Sequence, residues 1–239
     1  MSRTPRSVAD VSVVIPVLNE ETWLPRLLAT VEAQTVGVKE ILVVDADSTD
    51  GTRAVAAAAG ATVVTGGGLP GFSRNLGAER AAGEWLLFLD ADVRLPPTAV
   101  EESLAEQRRL GFDAASTAFV PDGRGWGVRL QHRVSTEYFW LSSRLGWPHS
   151  IGAFLFVRRS LHERIGGFDA EVTVAEDQDY VVRLRKAGRY AFTRRPVVEI
   201  ADRRFGSEGL LRMSVKWLGI EAHRLFLGEI RHDRFRYFG

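Results

Sequence analysis

Short runs of apolar, often β-branched residues alternate with longer helical patterns through the first half of this chain. The runs predict strands at 11–17, 41–44, 61–64 and 85–89, and the patterns between them predict helices over about 21–34, 52–59 and 73–82. Strands joined through helices pair in parallel, and the helices then cover the faces of the sheet. The run Trp85–Leu89 is apolar at every position, which is typical of a central strand buried on both faces. The sequence therefore predicts an α/β fold with a central, mostly parallel sheet flanked by helices.

The second half of the chain is less regular but continues the alternation. It predicts helices over 98–109, 128–145 and 176–186, and strands at 113–120, 153–157 and 197–200. A C-terminal amphipathic helix is predicted over 210–230, where two apolar stripes are interspersed with basic residues. Because no repeat or linker divides the chain, we expect an N-terminal tail at 1–10, one domain over 11–205 and a helical extension at 206–239.

The composition excludes several kinds of site and partner. The 239 residues include no cysteine, so any metal must be held by carboxylate, imidazole and water, a donor set that favours Mg²⁺ or Mn²⁺. A formal net charge of +1 provides no field that attracts nucleic acid, and no nucleic-acid partner is expected. Since the chain lacks a run of ~18 apolar residues and a start like a signal peptide, we expect a cytoplasmic protein.

Carboxylates follow two of the predicted parallel strands. Ligands of open α/β sheets bind beyond the carboxyl ends of the strands, so these positions are the first to consider. Asp90 and Asp92 follow the central strand two residues apart, and both can face one cation that keeps positions open for a diphosphate. Asp45 ends the second strand and can accept from a base N–H or a ribose hydroxyl. The alternative for all three is an ordinary turn-forming aspartate.

A third acidic cluster, Glu176-Asp177-Gln178-Asp179, lies at the start of a predicted helix. The helix dipole favours anions there and keeps the carboxylates ionised. A carboxylate in this position can take a proton from an attacking hydroxyl. The alternative is an acidic first turn of the kind found in many helices.

One motif points to a different class of enzyme. Gly66-x-Gly68-x-x-Gly71 matches the dinucleotide-binding pattern and stands between a strand and a helix. It would indicate an NAD-type oxidoreductase of the Rossmann kind. Against this, the motif follows the third strand rather than the first, and Pro70 removes one backbone N–H from the loop.

Eight segments, in order and spacing from about residue 11 to 204, resemble those of family 2 glycosyltransferases of the GT-A fold. Asp90-Ala91-Asp92 resembles the metal-binding signature of that family, and Glu176-Asp177 resembles the motif that holds the general base of its inverting members. The matching segments are Val13–Glu20, Val43–Thr52, Ser73–Ala78, Phe88–Asp92, Arg158–Ser160, Gly166–Asp169, Glu176–Asp179 and Arg183–Gly188.

The resemblance implies a single GT-A domain with a Rossmann-like sheet, 11–95 being the nucleotide-binding half and 96–205 the acceptor-side half. It implies transfer of a sugar from a UDP- or GDP-linked donor to a small-molecule or lipid-linked acceptor. Asp177 would be the catalytic base, and Asp92 with Asp90 would hold Mg²⁺ or Mn²⁺. The residues expected on the donor side are Pro16, Asn19, Glu20, Asp45, Arg74, Asp90, Arg203 and Arg204. A nucleotide-sugar-binding protein without catalysis is an alternative of another class.

Two positions depart from the family pattern. Ala46 and Asp47 stand where the family usually has Asp and Gly, so nucleoside contacts are expected to differ. A histidine that often completes the metal site is also missing, and the segment there reads Ile200-Ala201-Asp202-Arg203-Arg204-Phe205. Asp202 can substitute for it, or Arg203 and Arg204 can grip the diphosphate. The alternative is that both arginines are solvated at the surface.

The expectations for the acceptor side rest on weaker patterns. Glu176, Trp140, Trp147 and His149 are candidates for an acceptor pocket, and ordinary core packing is the alternative for the aromatic residues. The second apolar stripe of the predicted C-terminal helix must be buried against another surface. We expect core or homodimer packing or, as the alternative, contact with the inner face of a membrane that carries a polyprenyl-linked acceptor.

Overall fold

The computed structural model describes residues 7–122, 125–150, 152–201, 219–220, 223 and 228–231. Within them lie eight strands: β1 (Val11–Val17), β2 (Glu40–Asp45), β3 (Thr62–Thr65), β4 (Trp85–Leu89), β5 (Val93–Arg94), β6 (Ala114–Pro121), β7 (Phe154–Arg158) and β8 (Tyr190–Ile200). The helices in the same residues are α1 (Leu24–Glu32), α2 (Thr52–Ala58), α3 (Pro70–Arg80), α4 (Ala99–Leu110), α5 (Trp126–Arg144), α6 (Arg159–Arg164) and α7 (Glu176–Ala187).

All eight strands form one sheet in the order β3-β2-β1-β4-β7-β6-β8-β5. The four strands from β3 to β4 are parallel, as predicted, and so is the pair of β6 and β8. Strand β7 runs antiparallel to both of its neighbours, and β5 runs antiparallel to β8. The carboxyl ends of β1, β2 and β4 therefore meet at one edge, which is where ligands of such sheets bind.

Two apolar clusters cover the faces of the sheet. One packs α1 and α4 against it and includes the stacked rings of Trp85 and Phe156, 4.6 Å apart. The other packs α3 and α7, with Phe88 at its centre in edge contact with Phe168 and Tyr180. Every residue of β4 is buried, which confirms that the apolar run Trp85–Leu89 is a central strand.

The predicted strands and helices up to residue 200 are confirmed, with shifts at their ends. Helices α1 and α3 begin beside Pro25 and at Pro70, since proline suits a first turn whose N–H needs no partner. Strand β8 begins at Tyr190, seven residues before the predicted start. The register with β6 shifts between Thr117 and Ala118, so residues 194–196 bulge out and hide the strand from a pattern search. The short β5 and α6 were not predicted.

The predicted C-terminal helix over 210–230 lies mostly outside the described residues. Of that region, Ile220 and Ile230 are described and are buried against Val174 and Ala175, just before α7. In the part of the chain that the structure describes, no helix has both the length and the apolar character needed to cross a membrane.

Candidate active site

The loops after β1 and β2 are joined into one unit by side-chain hydrogen bonds. Asn19, in the left-handed region at φ 55°, accepts from Thr49 N at 2.8 Å, and its own N–H donates to Ser48 Oγ at 2.9 Å. The N–H of Glu20 donates to Thr52 Oγ1 at 2.8 Å. Pro16 lies one residue before the end of β1. The predicted donor-side residues of both loops therefore lie together at the carboxyl edge of the sheet.

Asp45 ends β2 and is completely buried. Its Oδ2 accepts from Arg53 Nε at 2.6 Å and from Ser48 N at 3.2 Å. Its Oδ1 is buried and receives no hydrogen bond from any described residue. A buried acceptor in this state costs about 1–3 kcal/mol, which a ligand donor at this atom would remove.

The glycine-rich segment 66–71 lies beside Asp45. The N–H of Gly67 donates to Asp45 O at 3.1 Å, and a Cβ at Gly67 would meet Ala46 N at 3.2 Å. Gly71 belongs to the first turn of α3 and packs on Phe168. These glycines permit close contact between the loop, its neighbour and α3. The loop also follows the edge strand β3 rather than a central first strand, unlike the dinucleotide-binding arrangement.

Arg74 connects the end of β4 with the start of α7. It is 2% exposed, its Nη2 donates to Asp90 Oδ1 at 2.7 Å, and its Nη1 donates to Glu176 Oε1 at 2.7 Å. Burial alone would lower the pKa of the guanidinium, but the charges of Asp90, Glu176 and Asp177 outweigh it and raise that pKa above its usual value. Arg74 is therefore a fixed positive charge among three carboxylates.

Asp177 is 7% exposed and lies next to this cluster. A Cβ built at Gly152 would lie 3.3 Å from both Asp177 Oδ2 and Arg74 Nη2, and Gly152 has φ +69°. The loop that contains Gly152 is fixed by Gln178, whose Oε1 accepts from Ser150 N at 3.2 Å. Burial raises the pKa of Tyr190, and the negative charge of Asp177 contributes to that shift. The Tyr190 hydroxyl donates to His149 O at 3.3 Å.

The candidates for an acceptor pocket are spread over α5 and the loop after it. The Trp140 ring lies between two guanidinium groups, 4.5 Å from that of Arg144 and 4.3 Å from that of Arg194. Trp147 is 75% exposed. The His149 ring stacks on Phe139 at 6.0 Å. His149 is thus tied to the Asp177 side through Tyr190, whereas the two tryptophan rings make contacts elsewhere.

The model of the family described as Glycosyl transferase family 2 matches residues 12–166, which include Asp45, Arg74 and Asp90. The chain belongs to glycosyltransferase family 2. The expected family and GT-A fold are thereby confirmed, and the dehydrogenase alternative drawn from Gly66, Gly68 and Gly71 is wrong. Of the three, Gly71 packs on Phe168, and Gly66 has a φ of +95° that favours glycine.

Two curated relatives and one solved structure illustrate the likeness. The chain is 28% identical over 185 residues to an uncharacterized glycosyltransferase of Haemophilus influenzae, covering 72% of this chain and 61% of that protein. It is 29% identical over 192 residues to the 4,4'-diaponeurosporenoate glycosyltransferase of Staphylococcus haemolyticus, covering 75% and 48%. The chain thus spans about half to three fifths of these relatives. The mannosyltransferase PcManGT from Pyrobaculum calidifontis shares the fold, with a TM-score of 0.68 and 21% identity over 91% of this chain and 68% of that one.

Asp90 and Asp92 of the family 2 domain follow β4 directly, and both are partly exposed. Among the described residues, no group of three or more His, Asp and Glu side chains is placed to hold a metal ion. Mg²⁺ sites, however, often consist of one or two protein carboxylates completed by substrate phosphates and water. The two aspartates fit a site of that kind. Asp202, Arg203 and Arg204, predicted to assist there, lie outside the described residues.

Three further residues at the family 2 site were not found from the sequence. Arg53 contacts Asp45 from the first turn of α2, and only its spacing of eight residues from that strand end could have indicated it. Gly152 borders Asp177 and Arg74, and no sequence signal marks it among the chain's 23 glycines. Tyr190 lies at the start of a strand whose beginning the pattern missed.

Proposed function

We propose that this domain transfers a sugar from a nucleotide-diphosphate donor to an acceptor hydroxyl with inversion. The observation that carries the proposal is the cluster in which the buried Arg74 joins Asp90 at the end of β4 to Glu176, beside Asp177 at the start of α7. The cluster links residues expected at the diphosphate to the residue expected to act as base. An ion pair that only stabilises the fold could lie anywhere in the protein. This one lies at the edge of the sheet where ligands of α/β proteins bind.

The Oδ1 of Asp45, to which no described residue donates, supports a nucleoside site at the end of β2. A base N–H or a ribose hydroxyl would donate to it and remove the cost of a buried acceptor. Asn19 and Glu20 shape the loop beside it. The fold relative PcManGT is in complex with GDP-Man and Mn²⁺, which agrees with a nucleotide sugar as ligand.

In this proposal, Asp92 and Asp90 hold Mg²⁺ or Mn²⁺ together with the donor diphosphate. The cation, when bound, neutralises charge on the departing diphosphate. Asp90 gives one oxygen to Arg74, whose positive charge lies on the same side of the site. Arg74 therefore orients Asp90 and offsets negative charge whether or not a cation is present.

Asp177 is proposed as the general base. Its carboxylate takes the proton of the acceptor hydroxyl while the new C–O bond forms at the anomeric carbon. The bond between that carbon and the diphosphate oxygen breaks, and the nucleoside diphosphate leaves with the bonding electrons. Because Glu176 is paired with Arg74, we assign it the task of holding Arg74 rather than contact with the acceptor.

Calorimetry and turnover assays on the variants D45N and D177N test the proposal. D45N should weaken binding of the productive UDP- or GDP-sugar by about tenfold or more. The amide replaces one of the two accepting oxygens of this buried side chain with an NH₂ group, which cannot accept a hydrogen bond from the nucleoside. D177N should leave donor affinity nearly unchanged and lower turnover by ~10² or more. D10N, at an exposed aspartate that directly precedes the amino end of β1 and so lies at the opposite edge of the sheet, is the matched control.

The results separate the two candidate classes. Donor binding without transfer to any acceptor, unchanged by D177N, would indicate a binding protein rather than an enzyme. Loss of donor binding in D177N would remove Asp177 from the role of base. Full activity of the wild-type protein in EDTA would contradict the cation site at Asp90 and Asp92.

A further inference from the structure

Helix α5, with the residue that follows it, exposes six large apolar side chains. The exposed fractions are 79% for Trp126, 51% for Leu130, 60% for Val134, 51% for Tyr138, 51% for Leu141 and 72% for Leu145. Their spacing of three and four residues places them along one side of the helix. We call these six residues the outer face of α5.

The opposite side of α5 is the more polar one. His132, Ser142 and Ser143 are buried there, and Phe139 contributes the packing against Phe119. In a helix that only packs on its own domain, the apolar side faces the core and the polar side faces water. Helix α5 shows the reverse, and a continuous exposed apolar stripe of this length marks an interaction surface.

The charges around the outer face are positive. Arg129, Arg133 and Arg144 are exposed along α5. Glu137 is the single acidic residue in the sequence of α5, and its Oε2 accepts from Arg194 Nη2 at 2.7 Å. The surface is thus an apolar stripe flanked by arginines that pair with no acidic side chain of the described residues, with tryptophans at 126 and, just beyond the helix, at 147.

We propose that the outer face of α5 docks onto an anionic lipid surface. The apolar side chains enter the boundary between headgroups and acyl chains, and the arginines contact lipid phosphates. Trp126, Tyr138 and Trp147 are the residue types that favour this boundary. This surface differs from the predicted C-terminal helix, for which membrane contact is the alternative to core or homodimer packing.

Charge argues against two other occupants of the face. A second copy bound through the same face would bring arginines against arginines, since a twofold contact is self-complementary. Residues 202–239 contain eight Lys and Arg against five Asp and Glu, so they also carry the same sign. Anionic lipid supplies both the apolar phase and the opposite charge.

The position of α5 gives this docking a consequence that rests on the proposed function. The chain passes from Leu145 through Trp147 to Ser150, which contacts Gln178, and to Gly152, which borders Asp177. The five residues from Trp147 to Gly152 span at most ~18 Å, so the acceptor side would lie close to the headgroups of the bound membrane. An acceptor anchored in lipid would then reach Asp177 without leaving the bilayer.

Vesicle sedimentation with the full chain tests the proposal. The wild-type protein should pellet with vesicles of equal parts phosphatidylglycerol and phosphatidylcholine, and should stay in solution with phosphatidylcholine alone. Salt should weaken the binding because the arginines contribute to it. V134E should reduce the partition coefficient by about tenfold or more, since a charge then replaces an inserted apolar side chain.

Matched controls separate the face from general surface chemistry. Val8 is 65% exposed and distant in sequence, so V8E makes the same change elsewhere and should bind vesicles like the wild type. R133E should weaken binding, whereas R108E, the same charge change at an exposed residue of α4, should do so much less. Circular dichroism confirms that each variant is folded.

Absence of binding to the anionic vesicles overturns the proposal, and so does an equal loss in V8E and V134E. A dimer that V134E dissociates in light scattering would assign the face to a second copy instead. Donor affinity of V134E, measured by calorimetry, should equal that of the wild type. A protein that binds vesicles but no nucleotide sugar would refute the proposed function and leave the docking surface standing.

Discussion

Arg74 shows how one side chain organises the site. Two carboxylates from separate parts of the chain, Asp90 and Glu176, each accept from a different nitrogen of its guanidinium at 2.7 Å. The Arg74 side chain is 3% exposed and that of Glu176 is 11% exposed, so this pair is shielded from water and salt and its electrostatics are stronger than those of a surface pair. The Asp90 side chain is 35% exposed, so its pair with Arg74 is shielded on one side only. The planar fork of arginine suits this double contact better than the point charge of lysine.

Replacement of Arg74 by alanine should therefore destabilise the fold by about 3–5 kcal/mol, because two carboxylates would lose a buried partner. R74K should recover part of that stability. The control is R80A, at an exposed position near the end of the same helix, which should change stability by less than about 0.5 kcal/mol. Urea unfolding measures all three variants, and equal stability of R74A and R80A would contradict the prediction.

The buried side chain of His162 makes the stability of the fold depend on pH. It is buried among aromatic rings with its Nδ1 2.7 Å from the Tyr180 hydroxyl. Burial, aided by the charge of Arg183, lowers the pKa of His162 to about 4. Burial also lowers the pKa of His132 to about 4. Both side chains are therefore neutral in the folded protein at neutral pH.

Below the usual histidine pKa of about 6.5, the unfolded chain binds protons that the folded chain does not, so stability should fall as the pH drops from about 6.5 to about 4. His162 alone contributes a loss of up to about 3 kcal/mol over that interval. Urea unfolding at neutral pH and near the lower limit should show a smaller loss in H162Q, and the smallest in H132Q/H162Q. An unchanged pH dependence in the double variant would contradict this account.

At the scale of elements, α3 lies unusually close to the sheet. A Cβ at Gly77 would lie 2.9 Å from Val44 Cγ2 and would also overlap Val14. This contact brings α3 against β1 and β2. It therefore fixes the distance between the sheet and Arg74, which lies one turn earlier in the helix. Glycine is required at position 77 because a Cβ would not fit there. Its backbone conformation does not require glycine, since its φ lies outside the left-handed region.

The pair G77A and G127A tests that contact. Both glycines lie in helices, but a Cβ at Gly127 meets no atom of the described residues within 4 Å. G127A should be neutral or stabilising by up to about 1 kcal/mol, because alanine is the better helix former. G77A should destabilise by about 1–3 kcal/mol through overpacking and should also weaken donor binding. Similar melting temperatures for both variants would show that α3 can move away freely.

At the scale of the whole molecule, the far end of the chain supports the proposed base. Thr173 N donates to Ile230 O at 2.9 Å, and Ile230 is completely buried. Arg231 Nη2 pairs with Asp169 Oδ2 at 2.7 Å, and Arg231 also contacts Glu171. These contacts hold the segment that leads to Ala175, whose φ of 60° is strained for a residue with a Cβ, directly before Glu176 and Asp177.

I230A should reduce stability by about 2–5 kcal/mol and loosen that segment. Hydrogen exchange should then be faster at the Thr173 amide, and turnover should fall more than donor affinity, because Asp177 is affected and the loops of β1 and β2 are not. V8A, at a 65% exposed position, is the control and should be near neutral. Unchanged exchange at Thr173 in I230A would contradict a supporting role for the C-terminal segment.

Much of the fold could be predicted from the sequence. The strands β1, β2 and β4 and the acidic start of α7 were predicted because apolar runs and helix-start signals are local. The positions of Asp45, Asp90 and Asp92 follow from them, because a residue next to the end of a parallel strand lies at one edge of the sheet whatever the rest of the chain does. Strand β8 was shortened in the prediction because a bulge breaks its period.

The sequence by itself determined which side chains stand at the strand ends and that the chain belongs to an α/β class. Only the tertiary structure decided that Arg74 pairs with Glu176, 102 residues later, that Gly152 borders Asp177, and that α5 faces its apolar side outward. The physical reason is the separation along the chain of the residues that interact. A residue's place along a strand or helix follows from neighbours within a few positions, whereas its partners across the molecule depend on how all the elements pack.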